Sequence, residues 1–148
     1  MPAAQGPVLV VDDDAAVRLS LRFALELEGL DVRLYADGAA LLGDERNLPA
    51  VGCLVVDQFM PGMEGVELLA RLRLRHVNLP AIMITAKATD DLRLRAHAAG
   101  FGLVLEKPLH DGALVAGIRG VLGGSDAVSL PSGGDVSGSR GQRLKSAK

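Results

Sequence analysis

Aromatic residues are nearly missing from this 148-residue chain, which has one Tyr, three Phe and no Trp. Its core must therefore be aliphatic, and rings are too few for a platform that stacks nucleic-acid bases. One cysteine, Cys53, excludes an internal disulfide and suits a reducing cytoplasm. Neither sign of charge dominates. Sixteen Lys and Arg stand against 18 Asp and Glu, so the net charge of −2 gives no bulk attraction to nucleic acid or an anionic membrane. No apolar run reaches the roughly 18 residues of a membrane span. Met1 to Pro7 has neither the basic nor the apolar stretch of a secretory leader. What is present, 49% hydrophobic and 23% charged residues, is ordinary globular usage at a length that one core can fill. The expectation is a soluble cytoplasmic protein with no membrane span and no direct contact with nucleic acid.

Short apolar runs alternate with longer segments of helical period. Val8-Leu9-Val10-Val11 is continuously apolar and stops at acidic residues, as a strand buried on both faces would. Val17, Leu21, Ala24 and Leu25 then recur at helical spacing, ending near Gly29. Asp31 to Tyr35 reads as a second strand and Ala39 to Asp44 as a short helix. Cys53 to Val56 runs into Asp57 as a third strand, followed by a helix carrying Val66, Leu69 and Arg73 with Leu68 and Leu72 on its inner face. Ala81 to Ile84 leads into Thr85, a helix from Asp90 to Ala99 closes at Gly100, and Leu103-Val104-Leu105 is a short fifth strand. Leu114, Ile118, Val121 and Leu122 mark the last helix. Five such repeats predict an α/β fold, a doubly wound parallel sheet with helices on both faces.

From Gly123 onward the chain is rich in Gly and Ser and has no apolar periodicity. A folded unit over residues 7–122 and a disordered basic tail or linker over 123–148 are therefore expected.

Open parallel sheets bind ligands outside the C-terminal ends of their strands. Here those ends are Asp12-Asp13-Asp14, Asp57, Thr85 and Glu106-Lys107-Pro108. Carboxylates brought together there repel, at about 5 Å and an effective dielectric near 20 by on the order of 3 kcal/mol per pair. Hard oxygen ligands with open positions suit Mg²⁺. Lys107 adds a compact positive charge and Thr85 a hydroxyl, which completes a site shaped for a phosphoryl group with Asp57 as a possible nucleophile.

The runs Val10-Val11-Asp12-Asp13-Asp14, Val55-Val56-Asp57-Gln58-Phe59-Met60-Pro61-Gly62-Met63-Glu64-Gly65, Ile84-Thr85-Ala86 and Glu106-Lys107-Pro108 together resemble the response-regulator receiver family. The resemblance covers about residues 7 to 122 and implies the flavodoxin-like (βα)5 sheet with strand order 2-1-3-4-5. By position it makes Asp57 the phosphoacceptor. Asp12, Asp13 and Asp57 would hold Mg²⁺ with the main-chain carbonyl of Phe59, Asp12 acting through water. Thr85, the Ala86 N–H and Lys107 would bind the phosphoryl group. The Lys107–Pro108 bond is expected to be cis, a form that costs an X-Pro bond only about 0.5–1 kcal/mol. Asp14 reads as a helix cap. The function implied is a phosphorylation-dependent switch of a two-component phosphorelay, not an enzyme acting on other substrates. Its partners would be a sensor histidine kinase or histidine phosphotransfer protein, and an output protein docked on the face of the fourth helix, fifth strand and fifth helix. A homodimer is a further option.

One departure stands out. Receivers commonly carry Tyr or Phe three residues before the lysine, where Val104 stands here, and Phe101 is not an obvious substitute. Phe59, two residues after Asp57, could shield the phosphoryl group from water. Two alternative readings stand beside this one. The Asp12-x-Asp14 pair resembles haloacid-dehalogenase-like phosphatases, with Asp12 as nucleophile, but the cap and later acidic motif of that fold are not visible. The other is the receiver half of a truncated DNA-binding transcription regulator. Cys53 reads as an inert core thiol, His76, His97 and His110 as surface residues, and Arg71, Arg73, Arg75, Arg93 and Arg95 as solvated helix faces.

Overall fold

Apolar runs that stop at acidic residues form the strands, and the periodic segments between them form the helices. The computed structural model describes residues 6–110 and 112–122. In chain order the elements are β1 (Val8–Val11), α1 (Ala15–Leu27), β2 (Val32–Tyr35), α2 (Gly38–Gly43), a 3-10 turn (Glu45–Asn47) and β3 (Cys53–Asp57). They continue with α3 (Gly65–Leu74), β4 (Ala81–Thr85), α4 (Asp90–Ala99), β5 (Leu103–Glu106) and α5 (Ala113–Leu122). The five strands make one parallel sheet in the order β2-β1-β3-β4-β5. This is the flavodoxin-like arrangement expected, with the direction of winding reversing between β1 and β3.

Strand alternation divides the core into two layers. Leu9, Val11, Leu54, Val56, Ala81 and Met83 point to one face, where Leu41 of α2, Leu68, Leu69 and Leu72 of α3, and Leu92 and Ala96 of α4 cover them. Val8, Val10, Cys53, Val55, Ile82 and Ile84 point to the other, under Leu25 of α1 and Leu114 and Ile118 of α5. Every residue of β1, β3 and β4 is buried, whereas the edge strands β2 and β5 are only half-buried. Local signals set the helix ends. Asp14 Oδ1 accepts from the Ala16 and Val17 N–H groups at 2.8 and 3.3 Å, capping α1 as expected. Gly100, at φ 114°, closes α4 in a left-handed conformation that side chains disfavour.

Some expectations shift. The second strand begins at Val32, α2 runs one residue earlier than expected, and β5 extends to Glu106. Arg73 is not on a solvated face. It is half-buried, donates from Nη1 to the Val77 carbonyl at 2.8 Å, and burial holds its pKa below the usual arginine value. The three histidines are exposed. The expected tail, 123–148, lies outside the described residues. Among the described residues no helix is long and apolar enough to cross a membrane.

Cys53 is wholly buried, and burial pushes its thiol up to about 12. The thiol therefore stays protonated and shielded, since the thiolate is the reactive form. Native protein treated with iodoacetamide at mildly alkaline pH should remain unalkylated by mass, and unfolded protein should react fully. Rapid alkylation of the native form would contradict this packing.

Candidate functional site

In-register pairing sets the strand ends side by side: Val11 opposite Val56, Asp57 opposite Ile84, and Thr85 opposite Glu106. Whatever follows β1, β3, β4 and β5 therefore emerges at one rim. Asp12, Asp13 and Asp57 meet there, each offering a carboxylate oxygen, all within 4.8 Å of one another. Lys107 reaches across from the end of β5. Its Nζ donates to Asp12 Oδ2 at 3.0 Å and lies 3.3 Å from Asp57 Oδ1. The Lys107 N–H donates to the Thr85 carbonyl at 2.7 Å, which fixes the root of that side chain to β4.

Asp12 is completely buried and Asp57 nearly so, while Asp13 is exposed. The Asp12 carboxylate is already engaged, with Oδ1 accepting the Asp14 N–H at 2.9 Å and Oδ2 accepting Lys107. Asp57 is raised from 3.8 to about 6, chiefly by burial and then by the charge of Asp12, with Lys107 opposing. Burial alone would lower the Lys107 pKa, but its hydrogen bond to Asp12 and its attraction to Asp57 and Asp12 outweigh that and raise it. One ammonium facing three carboxylates leaves a negative excess made of hard oxygen donors, one of them exposed to solvent. That donor set fits a small divalent cation such as Mg²⁺, which keeps several waters and uses few protein carboxylates.

The other expected site residues fall around this rim. Thr85 is buried, and its hydroxyl is engaged within its own loop, 3.3 Å from the Lys87 N–H and 3.4 Å from the Lys87 carbonyl. Ala86 follows it and is exposed. Phe59 is 52% exposed in the loop after β3. The Lys107–Pro108 bond is cis, as expected. Val104 is half-buried against the α3–α4 side of the core, and Phe101 is locked in that same core.

Three neighbours were not anticipated. Arg18 Nη1 donates to the Asp12 carbonyl at 2.7 Å. Glu106 Oε1 accepts the Ala88 N–H at 3.0 Å, pinning the β4–α4 loop to β5. Gln58, next to Asp57, is wholly buried and hydrogen-bonded through both ends of its amide. A polar residue directly after an apolar strand is the one trace Gln58 leaves in the sequence, and it does not reveal the partners.

Fold and rim geometry define a receiver. The family model for the response regulator receiver domain matches residues 8–119, and the chain belongs to that family. It is 42% identical over 119 residues to the transcriptional regulatory protein FixJ of Azorhizobium caulinodans, covering 80% of this chain and 56% of that protein. The chain thus spans little more than half the length of that relative. The crystal structure of FixJ-N matches with a TM-score of 0.72 at 32% identity, covering 85% of this chain and 99% of that one. A CheY-like receiver from Methanospirillum hungatei matches with a TM-score of 0.75 at 28% identity, covering 82% and 97%.

The raised Asp57 value has a thermodynamic consequence. Without metal, the folded protein keeps the Asp57 proton up to about pH 6, while the unfolded chain releases it near 3.8. The folded state binds more protons in that window, so this contribution to stability is full below the unfolded value and is lost as pH rises through the folded one. Between about pH 4 and pH 7 the loss from this group should be on the order of 2 kcal/mol. Urea denaturation in chelator should show a steeper loss for the unmodified protein than for Asp57→Asn. Identical pH slopes would contradict the assignment.

Proposed function

We propose that this chain is a phosphorylation-dependent switch of a two-component phosphorelay, with a receiver unit over residues 7–122 and Asp57 as its phosphoacceptor. The observation that carries the reading is the convergence of Asp12, Asp13 and Asp57 within 4.8 Å beneath Lys107. Asp12, Asp13, Asp57 and the Phe59 carbonyl would hold Mg²⁺, with Asp12, already bound to Lys107, acting through water. The metal would supply positive charge against the oxygens of the phosphoryl group.

In this reading an Asp57 carboxylate oxygen attacks the phosphorus of a phosphohistidine. An O–P bond forms, the P–N bond breaks, and the imidazole leaves with the electron pair and takes a proton from solvent. A small acyl phosphate would donate in the same way, its carboxylate leaving. Lys107 holds Asp57 in place and balances charge on the new phosphoryl oxygens. Thr85 would turn its hydroxyl from Lys87 toward those oxygens, together with the Ala86 N–H. The turnover is self-directed, so the chain acts as a switch rather than as an enzyme on other substrates.

A sensor histidine kinase or histidine phosphotransfer protein is the phosphoryl source this chemistry calls for. Membership of the family supports an output surface on the face made by α4, β5 and α5, open to a partner protein or a second copy. The family and the lone buried cysteine support a cytoplasmic setting. The similarity to a transcriptional regulatory protein supports a second reading, the receiver portion of a longer DNA-binding regulator.

Incubation with acetyl phosphate and Mg²⁺ should add one phosphoryl group by mass, none in Asp57→Asn, and far less in Lys107→Ala. A phosphoryl group that persists in Asp57→Asn would overturn the reading. If the exposed Phe59 ring screens the phosphoryl group from water, Phe59→Asn should shorten its lifetime, measured as decay of the phosphorylated mass after the donor is removed. An unchanged lifetime would remove that role.

A further inference from the structure

Gln58 follows the acceptor aspartate directly and has no solvent-exposed surface. A buried primary amide is costly unless both ends find partners, and here both do. Its Oε1 accepts the Val66 N–H at 2.9 Å in the first turn of α3, and its Nε2 donates to Glu64 Oε1 at 2.9 Å. Glu64 occupies the cap position of α3 but makes no side-chain cap of its own. The amide from the end of β3 performs that task instead.

The backbone of Gln58 is held as tightly. Its N–H donates to the Ile84 carbonyl and its carbonyl accepts the Gly65 N–H, each at 3.0 Å. Gly65 permits this approach, since a Cβ there would sit 2.7 Å from the Asp57 carbonyl oxygen and 3.1 Å from Gln58 Cα. A displacement at Asp57 therefore cannot leave Gln58 and the start of α3 unmoved.

The chain of contacts continues to α4. The same Glu64 Oε1 takes Arg95 Nη2 at 3.3 Å, across 31 positions of sequence. On β5, by contrast, the position three before Lys107 is Val104, whose branched side chain is stiff at χ1 and has no ring to swing. Phe101 is packed into the core and offers no substitute.

We propose that Gln58 is a positioning residue that couples the state of Asp57 to α4 through Glu64 and Arg95, in place of an aromatic side chain on β5. The proposal rests on Asp57 being the phosphoacceptor. Loading of the rim moves the β3–α3 loop, the amide passes the movement to Glu64, and Glu64 changes its hold on Arg95 of α4. The two-state element biased is the seating of α4 against that loop.

Amide NMR spectra of the full chain, with and without beryllofluoride plus Mg²⁺, test this. In the unmodified protein, peaks near Asp12, Asp57 and Thr85 should shift, reporting loading, and so should peaks of Asp90–Ala99. In Arg95→Ala and in the near-isosteric Gln58→Met, the rim shifts should remain while the α4 shifts shrink about twofold or more. Arg95→Lys should restore part of the α4 response. Arg93→Ala, which removes a contact from α4 to the Val104 carbonyl at 3.4 Å, should leave it intact. Undiminished α4 shifts in Arg95→Ala, or their loss in Arg93→Ala alone, would overturn the relay while leaving the phosphoacceptor reading standing. Should Gln58→Met fail to fold, the two Arg95 variants decide. Rim peaks that do not move in the unmodified protein would sink both readings together.

Discussion

Asp12 and Asp57 are buried almost completely, yet their carboxylates and that of Asp13 lie within 4.8 Å of one another, with Lys107 between two of them. Like charges at such separations repel by several kcal/mol in a low-dielectric setting, and a fold does not hold them together without compensation. Much of the architecture can be read as that compensation. Parallel pairing of β1 with β3 and of β3 with β4 fixes the strand ends at one level. The Lys107 N–H bond to the Thr85 carbonyl aims the ammonium, and Arg18 holds the main chain of Asp12 from α1. What the lysine leaves unbalanced is negative charge on hard oxygen donors, a donor set that suits a small divalent cation. The same repulsion that makes the rim unfavourable in isolation makes it responsive.

Rigidity and responsiveness are distributed unevenly across the sheet. Every side chain of β1, β3 and β4 is packed on both faces, so the positions of Asp12, Asp57 and Thr85 are set by a close-packed interior that does not deform continuously. On the β5 edge, Leu103, Val104 and Leu105 are half-buried and Glu106 is exposed. The β4–α4 loop is tied to that edge by one exposed hydrogen bond between Ala88 and Glu106. Asp12, Asp57 and Thr85 thus sit at the ends of fully buried strands, and Lys107 follows the half-buried one.

The sequence announced the stiff part plainly. Fully apolar runs ending in Asp, Thr or Lys can be placed in a parallel sheet without coordinates, because burial on both faces leaves no other use for them. That logic located Asp12, Asp13, Asp57, Thr85 and Lys107, and strand order followed from the family resemblance. Boundaries at the edges were read less well, since half-buried strands and a six-residue helix carry weak periodicity. Arg73 was misread because an arginine that buries its stem and caps a carbonyl has the same spelling as one in solvent. Gln58, Glu64 and Arg95 could not be linked at all, since their relation is one of contact between distant segments and not of spacing.

Val104 is the point where those two kinds of information meet. Its identity, visible in the sequence, says that a swinging ring is missing from β5, but not what stands in for it. Only the packing shows that the α3–α4 side of the core is already filled, with Phe101, Leu92 and Ala96 buried and Val104 resting against them. Opening room for a side chain to move in a close-packed layer costs in proportion to the volume opened. Two contacts that tie this face to the rim differ in exposure: the bond from Ala88 to Glu106 is exposed, and the amide of Gln58 is buried. An exposed hydrogen bond trades readily with water, whereas a buried one cannot be broken without leaving a donor or acceptor unsatisfied. On that difference in cost the Gln58 amide is the stiff first link of the proposed relay, while its last link, the Glu64–Arg95 ion pair at 3.3 Å, is exposed and is the step that solvent weakens most.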